Sequence, residues 1–438
     1  MTLTTPITVV RGRFLDIQKT VSQAQDIIDQ VRYIEDGVLI AKQGQIRWFG
    51  SWDDAQAHLP ANVEIQHYPE QLIIPGMIDT HIHFPQTEMV GAYGEQLLSW
   101  LNTYTFPTEI QFQDPSYAQK IAEFFIQELL KNGTTTALVF CTVHPESVDA
   151  LFEAAAQQQM RLIAGKVMMD RHAPEALCDT AESAYEDSKA LIGKWHGQGR
   201  ALYAITPRFA PTSTPEQLER AGQLKAEFPD VYVHTHLSEN KDEIAWVKDL
   251  FPAQKGYLDV YHHYGLTGNR SVFAHCVHLE DAEWQCMHET DSAIAFCPTS
   301  NLFLGSGLFP LKKSWQQQVK VGLGTDIGAG TSFSLLQTVN EAYKVQQLQG
   351  DKLSAFESLY HATLGGAKVL DLDNKLGNFN VGKEADFVVL NLKPTALQQL
   401  RQSRSKSIED SLFALFTMGD DRNIEATYIY GQKAYNQS

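Results

Sequence analysis

Residues 75–86 read Pro75-Gly76-Met77-Ile78-Asp79-Thr80-His81-Ile82-His83-Phe84-Pro85-Gln86. Residues 77–84 have the texture of a strand, and two histidines one residue apart near its end project to one face, because strand side chains alternate. Their ring nitrogens can then reach a single metal ion. A His-x-His pair alone does not define a site; the rhythm that follows it gives it meaning. β-rich runs recur at 134–140, 162–169, 202–208, 231–237, 271–278, 293–298 and 319–326, eight with the first, and helical stretches separate them.

Those stretches carry helix signals. Thr214-Pro215-Glu216-Gln217 supplies a cap, a proline at the first helical position and a glutamine three residues beyond the cap. Residues 115–131 and 145–159 space apolar side chains by three and four, ending at Asn132-Gly133 and in a glutamine run. Alternating strand and helix predict a parallel sheet, and eight repeats over about 250 residues predict an α/β fold closed into a (β/α)8 TIM barrel.

Outside the barrel the texture is purely β. Strands are expected at 7–14, 37–42 and 45–49, with hairpin turns at Asp36-Gly37 and Gln43-Gly44. The same texture returns after about Leu376, with strands at 386–392 and 427–430 and turns at Gly382 and Gly431. Neither terminal segment is large enough for a good core alone. They are expected to pair as one small β-sandwich domain, 1–73 with 376–438, beside a barrel at 74–375.

Composition narrows the function classes. The chain has 438 residues with 35 Lys plus Arg against 52 Asp plus Glu, a formal charge of −17. That acidity argues against nucleic acid, whose phosphates are bound mostly by Lys and Arg. The basic stretch 401–406 is short and reads as a solvated face. No run of about 18 apolar residues offers a membrane span. Residues 1–17 lack the layout of a signal peptide, so a cytoplasmic location is expected. Cys141, Cys178, Cys276, Cys286 and Cys297 include no C-x-x-C pair, indicating neither a disulfide framework nor a zinc knuckle, and read as small buried apolar residues.

Active sites of such barrels lie at the carboxyl ends of the strands. There the fifth run ends in His234-Thr235-His236-Leu237-Ser238-Glu239, the sixth holds His275 and His278, and the eighth ends in Gly324-Thr325-Asp326. Four polar clusters at the same end of four strands point to one convergent site. Taken singly, His234, His262, His263 and His278 read as structural.

With these residues in view, the chain resembles the amidohydrolase superfamily, whose His-x-His on strand one, His on strands five and six, and Asp on strand eight are matched here. The resemblance spans nearly the whole chain, including the returning stretch from Leu376-Gly377 to Ala385-Asp386-Phe387. Within the superfamily it is most similar to the branch that deaminates guanine. The matches are residues 79–86, Trp100-Leu101 followed by Tyr104-Thr105-Phe106-Pro107, Gly165-Lys166-Val167, Pro207-Arg208-Phe209, His236-Leu237-Ser238-Glu239-Asn240 and Gly324-Thr325-Asp326.

The resemblance implies that His81, His83, His236 and Asp326 hold one Zn2+ per subunit with a position left for water. His and Asp ligands also suit iron or manganese. Asp326 would accept the water's proton, Glu239 would shuttle it to the ring and the departing amine, and His275 would stabilise charge on the attacking oxygen. Gln86 and Arg208 would recognise the purine edge, with His236 and Glu239 adjoining it. Phe209 and Trp100 would either stack on the ring or pack in the core. Lys166 lies inside the third run and not at its end, which favours one metal over a lysine-bridged pair.

The implied reaction is hydrolytic deamination of guanine to xanthine and ammonia in purine catabolism, by a cytoplasmic homodimer. Two alternatives stay open: a related deaminase or chlorohydrolase acting on a triazine, an oxidised guanine or an adenosine derivative, and a non-catalytic scaffold. The scaffold fits poorly, because converging buried polar groups are costly without a task.

Overall fold

The computed structural model describes residues 7–93 and 97–437. Residues 1–6, part of the stretch read for a leader, lie outside it. Four strands open the chain: β1 (Ile7–Ile17), β2 (Val31–Lys42), β3 (Gln45–Ser51) and β4 (Ile65–Pro75). Nine follow: β5 (Met77–His83), β6 (Thr134–Phe140), β7 (Arg161–Gly165), β8 (Val167–Met168), β9 (Ala201–Pro207), β10 (Tyr232–Leu237), β11 (Ser271–His275), β12 (Ala293–Phe296) and β13 (Lys320–Leu323). The last three are β14 (Phe387–Leu390), β15 (Ile424–Ile429) and β16 (Gln432–Asn436).

Each of the eight expected runs overlaps a barrel strand, two of which, β7 and β9, begin one residue earlier. They pair in parallel in the order β5-β6-β7-β9-β10-β11-β12-β13, with short β8 also on β9. The third run divides at Lys166, next to Gly165, where a Cβ would stand 1.7 Å from the Ala204 carbonyl oxygen. The seam between β13 and β5 is drawn together by Thr80 Oγ1 donating to the Leu323 carbonyl (2.9 Å), the Asp326 N–H to the His81 carbonyl (2.9 Å) and the Thr325 N–H to Asp79 (3.1 Å). Glycine at 322 permits this approach, because a Cβ there would meet Thr80 at 2.5 Å.

The helices begin where the caps predict. Pro115–Lys131 and Pro145–Gln157 are helical, and Thr214 Oγ1 accepts the Gln217 N–H at 3.2 Å to open Pro215–Glu227. The lower barrel interior is filled by Ile78, Leu138, Ile163 and Val272 and plugged by Val369, Leu370 and Leu372. Only the opposite mouth is left for chemistry.

The flanking strands form one sheet in the order β16-β15-β14-β4-β1-β2-β3. In place of two separate layers, this single sheet curls so that Val10, Leu39 and Ile46 share an interior with Phe387, Ala426 and Tyr428. The curl is joined where the Ile46 N–H donates to the Lys383 carbonyl and the Ala385 N–H to the Gly44 carbonyl, both at 2.8 Å. The opposite faces of β1 and β4 lay Leu15, Ile17, Leu72 and Ile74 on the barrel's helices. Arg161 and Arg200 at the barrel floor grip Glu384 at 2.5 and 2.6 Å.

One expected turn in this sheet needs correction, and two of its strands were missed. Asp36-Gly37 is no turn: it lies inside β2, where Gly37 pairs with Gly12 and a Cβ would press on Phe14 at 2.8 Å. Gln43-Gly44 is the true hairpin, both residues having positive φ (54° and 73°). β4 and β16 were not anticipated. All five cysteines are free; Cys178 and Cys286 are only half-buried, unlike the other three. Among the described residues no helix is long and apolar enough to cross a membrane.

Candidate active site

Strand alternation brings His81 and His83 of β5 to the barrel mouth, beside His236 from β10 and Asp326 just beyond β13. One donor atom from each of these four lies within 4.8 Å of all the others. Asp326 Oδ1 is 3.1 Å from His81 Nε2 and 3.2 Å from His83 Nε2, and His83 Nε2 is 3.2 Å from His236 Nε2. The other ring nitrogens of His236 and His81 are engaged outward. His236 Nδ1 meets the Arg208 carbonyl at 2.7 Å, which places its proton there and a lone pair on Nε2. His81 Nδ1 meets His234 Nε2 at 2.8 Å.

Electrostatics prepare three of the four donors, His83, His236 and Asp326. Burial, then the neighbouring imidazoles, hold His236 well below its usual pKa, and burial brings His83 down to about 4, so both are neutral. Burial opposes the charge of Asp326, but the imidazoles of His81 and His83 outweigh it and hold that carboxyl well below the usual range. Neutral imidazoles around an ionised carboxylate are the donor set of a divalent cation. His81 Nε2 and His83 Nδ1 have no hydrogen-bond partner despite full burial. A cation beside Asp326 would satisfy the His81 nitrogen.

Around these donors stand groups suited to moving protons. Burial, reinforced by the charges of Asp326 and Glu243, pushes the Glu239 carboxyl well above its usual pKa; Ser306 donates to its Oε1 at 2.9 Å. His275 Nε2 lies 3.5 Å from Glu239 Oε2 and 3.8 Å from Asp326 Oδ2, and its Nδ1 meets Asn301 Nδ2 at 3.0 Å. Glu243 fixes the loop, its Oε2 accepting the N–H groups of Glu239 (3.0 Å) and Asn240 (3.1 Å). Ser238, His275 and Asp326 have φ of 48°, 71° and 52°, an uncommon left-handed setting for such residues, and all three follow or end barrel strands at the site.

Gln86, Trp100, Arg208 and Phe209 line the same cavity as His83, His236, Glu239, His275 and Asp326. Trp100 and Phe209 also belong to an apolar cluster with Leu97 and Phe106, so they serve as wall and packing at once. Arg208 and Gln86 are joined through Glu109, which sequence reading missed. Its signal was a carboxylate two residues past Phe106-Pro107, in a stretch otherwise apolar or hydroxylic. His234, read as structural, backs His81, and His278 Nε2 meets the Ser306 carbonyl at 2.7 Å. His262 and His263 sit on a separate helix, Tyr257–His263. Lys166 Nζ is spent on Asp179 at 2.5 Å.

A barrel with this His, His, His, Asp constellation is matched by the family model "Amidohydrolase family" over residues 72–434. The chain belongs to that family. Among its relatives is the guanine deaminase of Escherichia coli (strain K12), 62% identical over 429 residues, 98% of each chain. The solved structure of the E. coli guanine deaminase superposes with a TM-score of 0.96 at 60% identity, covering 99% of this chain and 100% of that one. A guanine deaminase from C. acetobutylicum, solved with guanine in its active site, matches with a TM-score of 0.88 at 31% identity over 98% of this chain and all of the other.

Proposed function

We infer that this enzyme hydrolyses guanine to xanthine and ammonia. The observation that carries the reading is the meeting, around one cavity, of four donors suited to a cation, a buried carboxyl that favours its protonated form, and the Arg208 and Gln86 side chains, suited to a purine edge. High identity to guanine deaminases along the full chain supports the choice of substrate.

His81, His83, His236 and Asp326 would hold one Zn2+, as their donor chemistry permits. Bound there, the ion supplies the Lewis acidity that makes water a nucleophile near neutral pH. Gln86 and Arg208 orient the ring through its O6 edge, and Phe209 and Trp100 exclude solvent from its faces. Asp326, ionised beside the attack position, takes a proton from water. Glu239 gives its proton to the ring nitrogen adjoining C2, is recharged by the proton held on Asp326 and passes that to the amino group, which must leave as ammonia because the amide anion is too basic; it regains a proton from the C2 hydroxyl as the carbonyl forms. His275, oriented by Asn301, offers Nε2–H to the attacking oxygen as charge builds there.

The division into 1–73 with 376–438 and 74–375, a cytoplasmic homodimer and a role in purine catabolism complete the proposal. The test is direct. Zinc-replete protein incubated with guanine is expected to yield xanthine and ammonia in equal amounts, and no turnover at full metal occupancy would overturn the assignment.

A further inference from the structure

Glu109 touches neither the cation donors nor the proton carriers, yet it sits fully buried at the recognition end of the cavity. Its Oε1 accepts from Gln86 Nε2 at 3.2 Å and from Arg208 Nη1 at 3.0 Å, and its Oε2 accepts from Arg208 Nη1 at 2.7 Å. The Arg208 and Glu109 side chains are 3% and 1% exposed. Both Arg208 contacts fall on Nη1, so Nε and Nη2 stand outside the pair. Gln86 Oε1 accepts the Gly328 N–H at 3.2 Å. A carboxylate only accepts, so Glu109 and Gly328 together fix which way the Gln86 amide points.

Glu109 reaches this spot through irregular backbone. Pro107 has no N–H to continue a regular helix, and Leu101–Thr105 is wound as a π-turn in which the Phe106 N–H reaches back to the Leu101 carbonyl. This delivers Phe106 and Glu109 to Arg208, whose guanidinium lies 5.7 Å from the Phe106 ring centre.

We propose that Glu109 is a positioning and specificity-determining residue: by cancelling the charge of Arg208 it makes the recognition pocket a neutral donor surface, which disfavours anionic purines, including the enzyme's own product. An unpaired guanidinium in this buried setting would attract anions strongly. Guanine is neutral near pH 7, whereas xanthine is markedly more acidic and exists partly as an anion. A pocket of net positive charge would therefore retain product at the expense of substrate. The inference rests on the guanine-hydrolase reading.

The test is a cycle of four proteins, native, Glu109→Gln, Arg208→Gln and the double variant, in which the pair carries charges of 0, +1, −1 and 0. The readout is the ratio of the xanthine inhibition constant to the guanine KM, with metal content as a control. The ratio is expected to follow pair charge, falling about tenfold in Glu109→Gln, the step from a neutral to a charge-assisted hydrogen bond. It rises in Arg208→Gln and returns near native in the double variant. A ratio that depends only on whether Arg208 is present would overturn the proposal. Should Glu109→Gln not fold, adding it to Arg208→Gln must still lower the ratio, and no change there overturns it equally. Absence of guanine turnover by the native protein would refute the function reading instead; direct binding of guanine and xanthine then tests the charge rule on its own.

Discussion

Replacing Glu239 by glutamine isolates one function of one atom. The native carboxyl accepts from Ser306 Oγ at 2.9 Å through Oε1 and sets Oε2 3.5 Å from His275 Nε2. Glutamine keeps the shape and an acceptor for Ser306. Because burial already favours the protonated, neutral acid, the exchange leaves ground-state charge nearly unchanged. What disappears is a proton that can be given and recovered. Such groups contribute about 10²–10⁴ in rate, or roughly 3–5 kcal/mol of barrier. We expect kcat for guanine to fall by that factor while KM changes by less than about threefold. Xanthine formation followed by absorbance gives both constants, elemental analysis gives the metal, and a thermal melt checks the fold. Retention of more than about a tenth of the native kcat would refute the proton-carrier role. Loss of metal in an otherwise folded variant would make Glu239 a ligand instead.

Chelation is expected to abolish turnover and zinc to restore it. The same zinc should raise the melting temperature by several degrees, since a ligand at about a thousand times its Kd contributes about 4 kcal/mol; a melt indifferent to zinc would contradict the four-donor assignment. Glu384→Gln removes the carboxylate gripped by Arg161 and Arg200. With Asp386 still beside Arg200, the loss is expected near the lower end of the range for breaking a buried pair, about 3 kcal/mol at pH 7 by denaturant titration. Burial raises the Glu384 pKa, but Arg200 and Arg161 outweigh it and hold it below its ordinary value of 4.5. Its contribution is therefore complete above that value and lost as pH falls through the depressed one, so native and variant stabilities should converge in acid. A gap constant from neutral to acid pH would rule this out. Gly165→Ala would drive a Cβ to 1.7 Å from the Ala204 carbonyl oxygen, a backbone atom that cannot swing aside. Destabilisation of at least about 2 kcal/mol should follow, and a variant as stable as the native protein would show that β7 and β9 can separate freely.

The barrel was legible because its signals are local. Parallel strands buried on both faces read as short apolar runs, and helix caps such as Thr214 announce themselves within four residues. The four convergent side chains, His81, His83, His236 and Asp326, were legible for a related reason: each closes or follows a strand, so position and residue type coincide. β4 was hidden by its composition, since His67, Tyr68, Pro69 and Glu70 interrupt it midway, where its pairing with β1 shifts register. Asp36-Gly37 misled because the glycine serves close packing against Phe14, a demand that looks identical to a turn in one dimension. Glu109, Asn301 and Ser306 were missed for a different reason. They come from irregular or short helical segments, and each acts on a residue far away in sequence, Arg208, His275 and Glu239 respectively.

The placing of β4 between β1 and β14 has a consequence for biosynthesis. During translation β1 to β4 leave the ribosome long before Phe387–Leu390, whose partners on β4 lie more than 300 residues earlier. Until those last segments arrive, β4 presents a bare edge of Leu72, Ile73 and Ile74, an invitation to mispairing. That edge runs through Gly76 directly into the strand bearing His81 and His83. The nascent chain thus covers the strand that leads into its first two imidazoles only when its carboxyl end comes home, so truncation at the far terminus should leave that edge open beside the barrel.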